Sequence, residues 1–201
     1  MIRTIAVLFM IVLLFIQHGT VVASREVIEM QSNVIEQQDR ELDQLDASIS
    51  KLEQRLKQLE ELIPKKTASR ITLSAAEQEC LMRNVFHEAG TEPRAGKIAV
   101  AQLTVQRLKS KKWGRNLCAV VYAKNQFPWT KQRSKRWSKP KGPRWVDSVA
   151  AVKELQQGYR IPALTESLFY HRVDSNTVWD DKMTMVAVIG NHAFYNNTDS
   201  G

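Results

Sequence analysis

A run of isoleucine and leucine at seven-residue intervals is the feature that most restricts how this chain can fold. The spacing places apolar side chains on one side of an α-helix and is typical of the a and d positions of a coiled coil. We therefore predict a coiled coil over residues 26–63, which would make the chain a homo-oligomer. A single amphipathic helix packed on its own domain is the alternative. The repeat comprises Ile28, Ile35, Leu42, Ile49, Leu56 and Ile63, with Leu45, Leu52 and Leu59 at an offset of three.

Residues 1–24 combine a short cationic start with an unbroken apolar run from Ile5 to Ile16. This pattern is typical of a secretory signal peptide, with cleavage after Ala23. An uncleaved anchor that attaches the chain to the inner membrane is the alternative, because a spanning helix needs about 20 apolar residues. Under both interpretations the rest of the chain is exported, so we expect it in the periplasm or cell envelope.

Pro64 ends the heptad pattern, and residues 64–72 are predicted to be a linker. The remaining residues, 73–197, suffice for one hydrophobic core. Their patterns predict an α+β domain, mainly helical, with a small β-hairpin around the turn Gly190-Asn191. The expected helices are 74–90, 94–109, 117–124 and 145–158, the expected strands 167–171, 185–189 and 192–195, and residues 131–144 are expected to be an exposed basic loop.

The first helix of this domain has clear end signals. Ser74 followed by Glu77 forms a capping box, in which each side chain can bind a free amide at the helix start. Gly90 suits a left-handed residue at the far end.

Glu88 lies on the apolar face of the same helix. At about 100° per residue it shares that face with Leu81 and Val85. A carboxyl group in apolar surroundings has a raised pKa, which makes Glu88 a candidate proton donor at neutral pH. The alternative is a glutamate at the helix end that bends out to water.

Charge is unevenly distributed along the chain. The formal net charge is +8, yet acids outnumber bases between Arg25 and Ile63. From Pro93 to Val146 there are fifteen Lys and Arg residues and no Asp or Glu. Such a basic stretch predicts a polyanionic partner: nucleic acid, anionic lipid or an anionic wall polymer. Because an exported protein rarely meets nucleic acid, we expect no nucleic-acid partner.

The two cysteines, Cys80 and Cys118, are candidates for a disulfide in an exported chain. In the chain-entropy model, closing a loop of this length contributes about 3–4 kcal/mol. Two buried free thiols are the alternative.

The sequence gives no support to metal or cofactor chemistry. His87-Glu88 lacks the second histidine of His-Glu-x-x-His, since position 91 is Thr. A Gly-rich phosphate loop and a Gly-x-Ser-x-Gly elbow are both missing from the sequence. Glycosidases commonly use two carboxylates, but the next acid after Glu92 is Asp147. A single acid suffices where the sugar supplies its own nucleophile, as in lytic transglycosylases.

Five sequence blocks follow one another within residues 76–195: Glu79–Pro93 with Gly96–Arg107, then Cys118–Tyr122, Gln126–Thr130, Tyr170-His171 and Ile189–Tyr195. In their residues and their order these blocks resemble the SleB family of cell-wall hydrolases. The resemblance implies a lysozyme-like fold that cleaves peptidoglycan, often as a lytic transglycosylase, with Glu88 as the catalytic acid. Gly90-Thr91 replaces the more usual Arg-Gly, Gln106 replaces Asn, and the basic insertion around Lys135 is long.

The same resemblance implies that Phe127, Trp129, Tyr170 and His192 line a glycan groove. We add Glu92, Gln126, His171 and Tyr195 as candidates for substrate binding. Several of these residues have structural alternatives: His171 and His192 as core histidines, Tyr170 and Tyr195 as strand packing, and Glu92 as a residue that shapes the turn before Pro93.

These observations predict an exported peptidoglycan hydrolase that cuts between N-acetylmuramic acid and N-acetylglucosamine, with Glu88 as single general acid and base. The alternative is a non-catalytic envelope protein, spanin-like or a scaffold, whose coiled coil is the working part and whose globular domain only binds glycan.

Overall fold

The computed structural model describes residues 2–175, 177, 179 and 182–197. The chain forms two compact units, Met1–Leu56 and Lys57–Gly201. The described elements are mostly helical, with two small antiparallel sheets. The predicted α+β, mainly helical fold class is therefore confirmed.

Helix α1 runs from Ile2 to Leu62. The isoleucines and leucines of the heptad repeat are exposed in the single chain, from Ile28 to Leu59. The coiled coil stays a prediction, because a single chain leaves this stripe uncovered. Among residues 2–175, 177, 179 and 182–197, no helix combines the length and apolar character needed to cross a membrane.

The described part of the second unit contains five further helices: α2 (Ala75–Ala89), α3 (Arg94–Ser110), α4 (Leu117–Tyr122), α5 (Arg133–Arg136) and α6 (Pro143–Gln156). Short 3₁₀ helices span Pro128–Lys131 and Pro162–Leu164. The predicted basic loop over 131–144 thus contains the single-turn helix α5 and the start of α6. Helix α6 begins early because Pro143 occupies its first turn, where the missing amide proton and fixed φ of proline are favourable.

The capping box of α2 is confirmed at both bonds. The Ser74 hydroxyl accepts from the Glu77 amide at 3.3 Å, and the Glu77 carboxylate accepts from the Ser74 amide at 3.2 Å. The left-handed conformation predicted for Gly90 is wrong, since its φ is −59° and its ψ −27°. Glycine is required there for space, because a Cβ would collide with the carbonyl oxygen of Phe86.

The larger sheet contains β3 (Phe169–Arg172), β4 (Met183–Ile189) and β5 (His192–Asn197). The order is β3-β5-β4, and both pairings are antiparallel. The predicted hairpin is confirmed as β4–β5, and β3 extends it on the other edge. Strands β1 (Lys65–Lys66) and β2 (Tyr159–Arg160) form a second, antiparallel pair, so the predicted linker 64–72 contains a short strand.

Helix α3 lies at the centre of the core, and every residue from Gly96 to Val105 is buried. Ile98 and Leu103 pack in a cluster with the sheet residues Ile189 and Phe194. On another side of α3, Ala101 and Val105 pack in a second cluster with residues of α2 and α6. These residues include Leu81, Val85, Val152 and Leu155. The central helix therefore fixes α2 and the sheet on different sides of itself.

A disulfide joins Cys80 of α2 to Cys118 of α4, with the two Cα atoms 5.3 Å apart. The bond lies two turns before Glu88 on the same helix, so it ties the helix that carries the candidate acid to a second element. Loop closure across a sequence separation of 38 residues restricts the unfolded chain.

We predict that the double variant Cys80→Ser/Cys118→Ser unfolds with a free energy lower by about 3–4 kcal/mol, because its unfolded chain is no longer cross-linked. Chemical denaturation of both proteins measures the difference. As a control, a reductant should lower the stability of the wild type and leave that of the variant unchanged. Equal stability of the oxidised wild type and the variant would contradict the prediction.

Candidate active site

Glu88 lies in the last turn of α2 and is half-buried, on the same face as the fully buried Leu81 and Val85. Its Oε2 accepts a hydrogen bond from the hydroxyl of Tyr170 at 2.9 Å. Burial raises the pKa of Glu88, although the Tyr170 hydrogen bond and the charges of Arg107 and Lys135 oppose the rise. The net effect is a carboxyl group that keeps its proton to a higher pH than an exposed glutamate.

Tyr170 belongs to β3 and packs between aromatic rings of the neighbouring strand. Its ring stacks on Phe194 with centroids 5.7 Å apart and meets the edge of His192 at 5.0 Å. Burial, followed by the negative charge of Glu88, raises the pKa of Tyr170 well above its usual value. The phenol therefore remains protonated and donates to Glu88.

Arg107 is a buried cation beside this pair, and the sequence did not identify it as a site residue. Its Nε donates to the carbonyl oxygen of Leu168 at 2.8 Å, and its guanidinium lies 5.3 Å from the ring centroid of Phe127. Within the part of the chain that the structure describes, its Nη1 is buried without a hydrogen-bond partner. The charge of Arg107 favours the ionised form of Glu88. The available signal was a single arginine on an otherwise apolar face of α3.

Glu92 is buried, and both of its carboxylate oxygens are bound by Asn191. Oε2 accepts from the Asn191 amide at 2.9 Å, and Oε1 accepts from the Asn191 side chain at 3.1 Å. Burial alone would raise the pKa of Glu92, but these two hydrogen bonds and the charges of His192 and Arg172 outweigh it, so the pKa is lowered. The ionised Glu92 holds the β4–β5 turn against the start of α3.

Phe127 and Trp129 are only 1% and 2% exposed. The indole Nε1 of Trp129 donates to Asn84 Oδ1 at 2.9 Å, and the ring stacks on His87 at 4.4 Å. The structure therefore places both aromatic residues in the core behind α2, and neither presents a ring face to solvent. Gln126, which precedes them, is partly exposed.

The remaining candidates divide between the two faces of the sheet. The stacked rings of His171 and Tyr195 are 5.1 Å apart, and His171 Nε2 lies 2.8 Å from the Tyr195 hydroxyl. His192 is buried on the face of Tyr170, and burial lowers its pKa. Adjacent strand residues point to opposite faces, so His171 lies on the other side of the sheet from Tyr170. Glu88 is thus brought together with Tyr170 and, through its ring, with His192.

His87 was considered in the sequence only as a metal ligand. Burial, with smaller contributions from the charges of Arg83 and Lys135, lowers the pKa of His87 to about 4. The imidazole beside Glu88 is therefore neutral at physiological pH. No group of three or more His, Cys, Asp or Glu side chains suited to a metal ion occurs among the described residues.

Gly190 is essential to the contact between Glu92 and the hairpin turn. Its φ is +60°, and a Cβ there would collide with Glu92 Oε2. Gly142 also has a positive φ, +85°, but a Cβ there would meet no atom within 4 Å.

We predict that Gly142→Ala is destabilising by about 1–3 kcal/mol, the cost of its backbone conformation alone (φ +85°, ψ −177°), and that Gly190→Ala is more destabilising by about another 1–3 kcal/mol. The excess reflects displacement of the buried Glu92 carboxylate from its partners. Thermal unfolding of the two variants and the wild type measures both values. If the two substitutions were equally destabilising, the crowding of Glu92 would have no energetic role.

Residues 91–195 match the sequence model of a protein family that is described as Cell Wall Hydrolase. Glu88 lies three residues before this matched segment. No curated protein is significantly similar to the chain.

Two solved structures share the fold. One is the catalytic domain of the Bacillus cereus SleB protein, with 21% identity and a TM-score of 0.54 over 64% of this chain and 95% of that one. The other is the catalytic domain of the germination-specific lytic transglycosylase SleB from Bacillus anthracis, with 21% identity and a TM-score of 0.53 over 61% of this chain and 96% of that one. At this identity the likeness establishes the fold alone.

Proposed function

Because the chain belongs to the cell wall hydrolase family, we propose that it cleaves the glycan strand of peptidoglycan between N-acetylmuramic acid and N-acetylglucosamine, as a lytic transglycosylase. The observation that carries this proposal is a half-buried carboxyl group, Glu88, that accepts a hydrogen bond from Tyr170 and has a raised pKa. The charges that act on Glu88 in the described part of the chain come from Arg107 and Lys135, both cationic.

In the first step Glu88 acts as a general acid. Its Oε2 accepts from Tyr170, so Oε1 is the oxygen that carries the proton to the glycosidic oxygen. The bond from muramic C1 to that oxygen breaks, and the leaving sugar departs with a free hydroxyl group. The raised pKa keeps Glu88 protonated closer to neutral pH, where this donation is useful. General acid–base assistance of this kind contributes about 10²–10⁴-fold to the rate.

In the second step the resulting carboxylate acts as a general base. It takes the proton of the muramic 6-hydroxyl while that oxygen bonds to C1, which closes an anhydro ring without consuming water. Tyr170 and Arg107 favour the formation of this carboxylate in the first step, because a hydrogen bond and a positive charge both stabilise the anion. A second catalytic carboxylate is not required. Glu92 is already committed to Asn191 through both oxygens.

The proposal includes export, since peptidoglycan lies outside the cytoplasm. Residues 1–24 would act as a signal sequence, and residues 26–63 would pair copies of the chain. The basic surface between residues 93 and 146 would concentrate the enzyme on an anionic wall in a salt-dependent manner.

We predict that Glu88→Gln abolishes cleavage of purified sacculi, because an amide donates no proton to the glycosidic oxygen. Loss of turbidity gives the rate, circular dichroism checks the fold, and mass spectrometry identifies the product. Glu166→Gln is the matched control, since Glu166 is exposed, and it should retain full activity. Wild-type activity in Glu88→Gln would refute the role of Glu88, and hydrolysed rather than anhydro ends would refute the transglycosylase mechanism.

We predict that Tyr170→Phe lowers the maximal rate roughly tenfold, the loss typical of a hydrogen bond to a charged group. It should also move the alkaline limb of the pH–rate profile upward. The Tyr170 hydrogen bond favours ionised Glu88, so its removal raises the pKa of Glu88 further and keeps the acid form to higher pH.

The pH–rate profile on sacculi measures both effects. Tyr159→Phe makes the same chemical change in β2 and should leave the profile unchanged. An unchanged or downward-shifted limb in Tyr170→Phe would contradict the assigned contact.

A further inference from the structure

Residues 131–142, here called the basic arm, carry six Lys and Arg residues. The arm continues from the 3₁₀ helix Pro128–Lys131 through α5 to the N-cap of α6. Across the described residues, none of the six cations lies within 4 Å of a carboxylate. The arm therefore presents positive charge that the described protein does not neutralise. The six exposed side chains are Lys131, Arg133, Lys135, Arg136, Lys139 and Lys141.

Arg83 fastens this arm to α2. Its Nη1 donates to the carbonyl oxygen of Ser138 at 2.6 Å, and its Nη2 donates to those of Arg136 at 2.6 Å and Lys135 at 3.2 Å. Arg83 lies one turn before His87 on the same helix, a rise of about 5–6 Å. Glu88 follows Arg83 by five residues, an axial rise of about 7–8 Å, so the arm is attached near the end of α2 that carries Glu88. The positive charge of Lys135, in the arm, acts on His87 and on Glu88. It lowers the pKa of His87 and opposes the rise in the pKa of Glu88.

The arm also presents an aromatic surface. Trp137 is 74% exposed, whereas most aromatic rings of this unit are buried or half-buried. The guanidinium of Arg136 lies 4.9 Å from the ring centroid of Tyr122 and 5.9 Å from that of Trp137. A flat ring beside cations can pack on a sugar or peptide while the cations bind its acidic groups.

We propose that the basic arm is a subsite for the carboxylates of peptide stems attached to the glycan strand beside the bond that Glu88 would cleave. This inference rests on the proposed function and adds a substrate requirement to it. The two sugars of the strand are uncharged once the muramic carboxyl is linked to a stem, so its negative charges reside in the stems. Because Arg83 fixes the arm beside Glu88, an anion bound there lies next to the strand being cut.

Binding is tested without chemistry in the Glu88→Gln background. Sacculi are first freed of phosphate-containing polymers, so that stem carboxylates supply their negative charge. One half is then treated with a carbodiimide and excess ethanolamine, which converts the stem carboxylates to neutral amides and leaves the sacculi cross-linked. We expect the full chain carrying Lys135→Gln/Lys139→Gln to co-sediment roughly fivefold more weakly with stem-bearing sacculi at low salt, the scale for two exposed charge pairs. On the amidated sacculi the loss should disappear.

Lys66→Gln/Lys153→Gln is the matched control, since it removes two exposed charges elsewhere in the same unit. If both double variants lost binding to sacculi equally, the effect would come from net charge alone, and this result would overturn the proposal. A loss of binding that persists on amidated sacculi would also overturn the proposal, as would a loss seen only before removal of the phosphate polymers. Cleavage of stem-bearing sacculi by the wild type is measured in parallel. An absence of cleavage would refute the proposed function, whereas the binding comparison judges the arm separately.

Discussion

The hydrogen bond between the Tyr170 hydroxyl and Glu88 joins two elements that are 82 residues apart in sequence. A carboxyl group moved out of water needs a partner, and Tyr170 supplies it from the edge strand of the sheet. Strand β3 is positioned by its pairing with β5, and the turn before β5 is held by Glu92. The environment of Glu88 therefore depends on a continuous set of contacts that leads through the sheet and back to the start of α3.

Two glutamates four residues apart experience opposite environments. Glu88 receives one hydrogen bond and its pKa is raised, whereas Glu92 is bound at both oxygens and its pKa is lowered. Burial raises the pKa of both. At Glu92 the two hydrogen bonds from Asn191, with the charges of His192 and Arg172, outweigh burial, whereas at Glu88 one hydrogen bond and the charges of Arg107 and Lys135 do not. One glutamate is thus available to exchange a proton, and the other serves as a fixed anion that orders the hairpin. This difference supports a mechanism with a single acid.

Local patterns in the sequence predicted the features that depend on neighbouring residues. The capping box at Ser74, the apolar face that includes Glu88, and the hairpin at Gly190 each follow from spacing within about ten residues. The predicted conformation of Gly90 is wrong because glycine at a helix end more often indicates left-handed backbone. Here glycine is needed because a Cβ would collide with the Phe86 carbonyl oxygen, one turn earlier in the helix.

Features that depend on distant residues could not be predicted. The burial of Phe127 and Trp129, and the position of Arg107 beside Glu88, arise from packing between segments far apart in sequence. Periodicity also gave no sign that Lys65–Lys66 would pair with Tyr159–Arg160, since a two-residue strand is too short to show alternation.

The attachment of the basic arm has a consequence for how this protein can change over time. All three hydrogen bonds from Arg83 end on main-chain carbonyl oxygens, a group that every amino acid possesses. The side chains of the arm can therefore be replaced during evolution while the arm keeps its place. Selection can thus alter the charge and shape of this surface without rebuilding the core around the Glu88 carboxyl group.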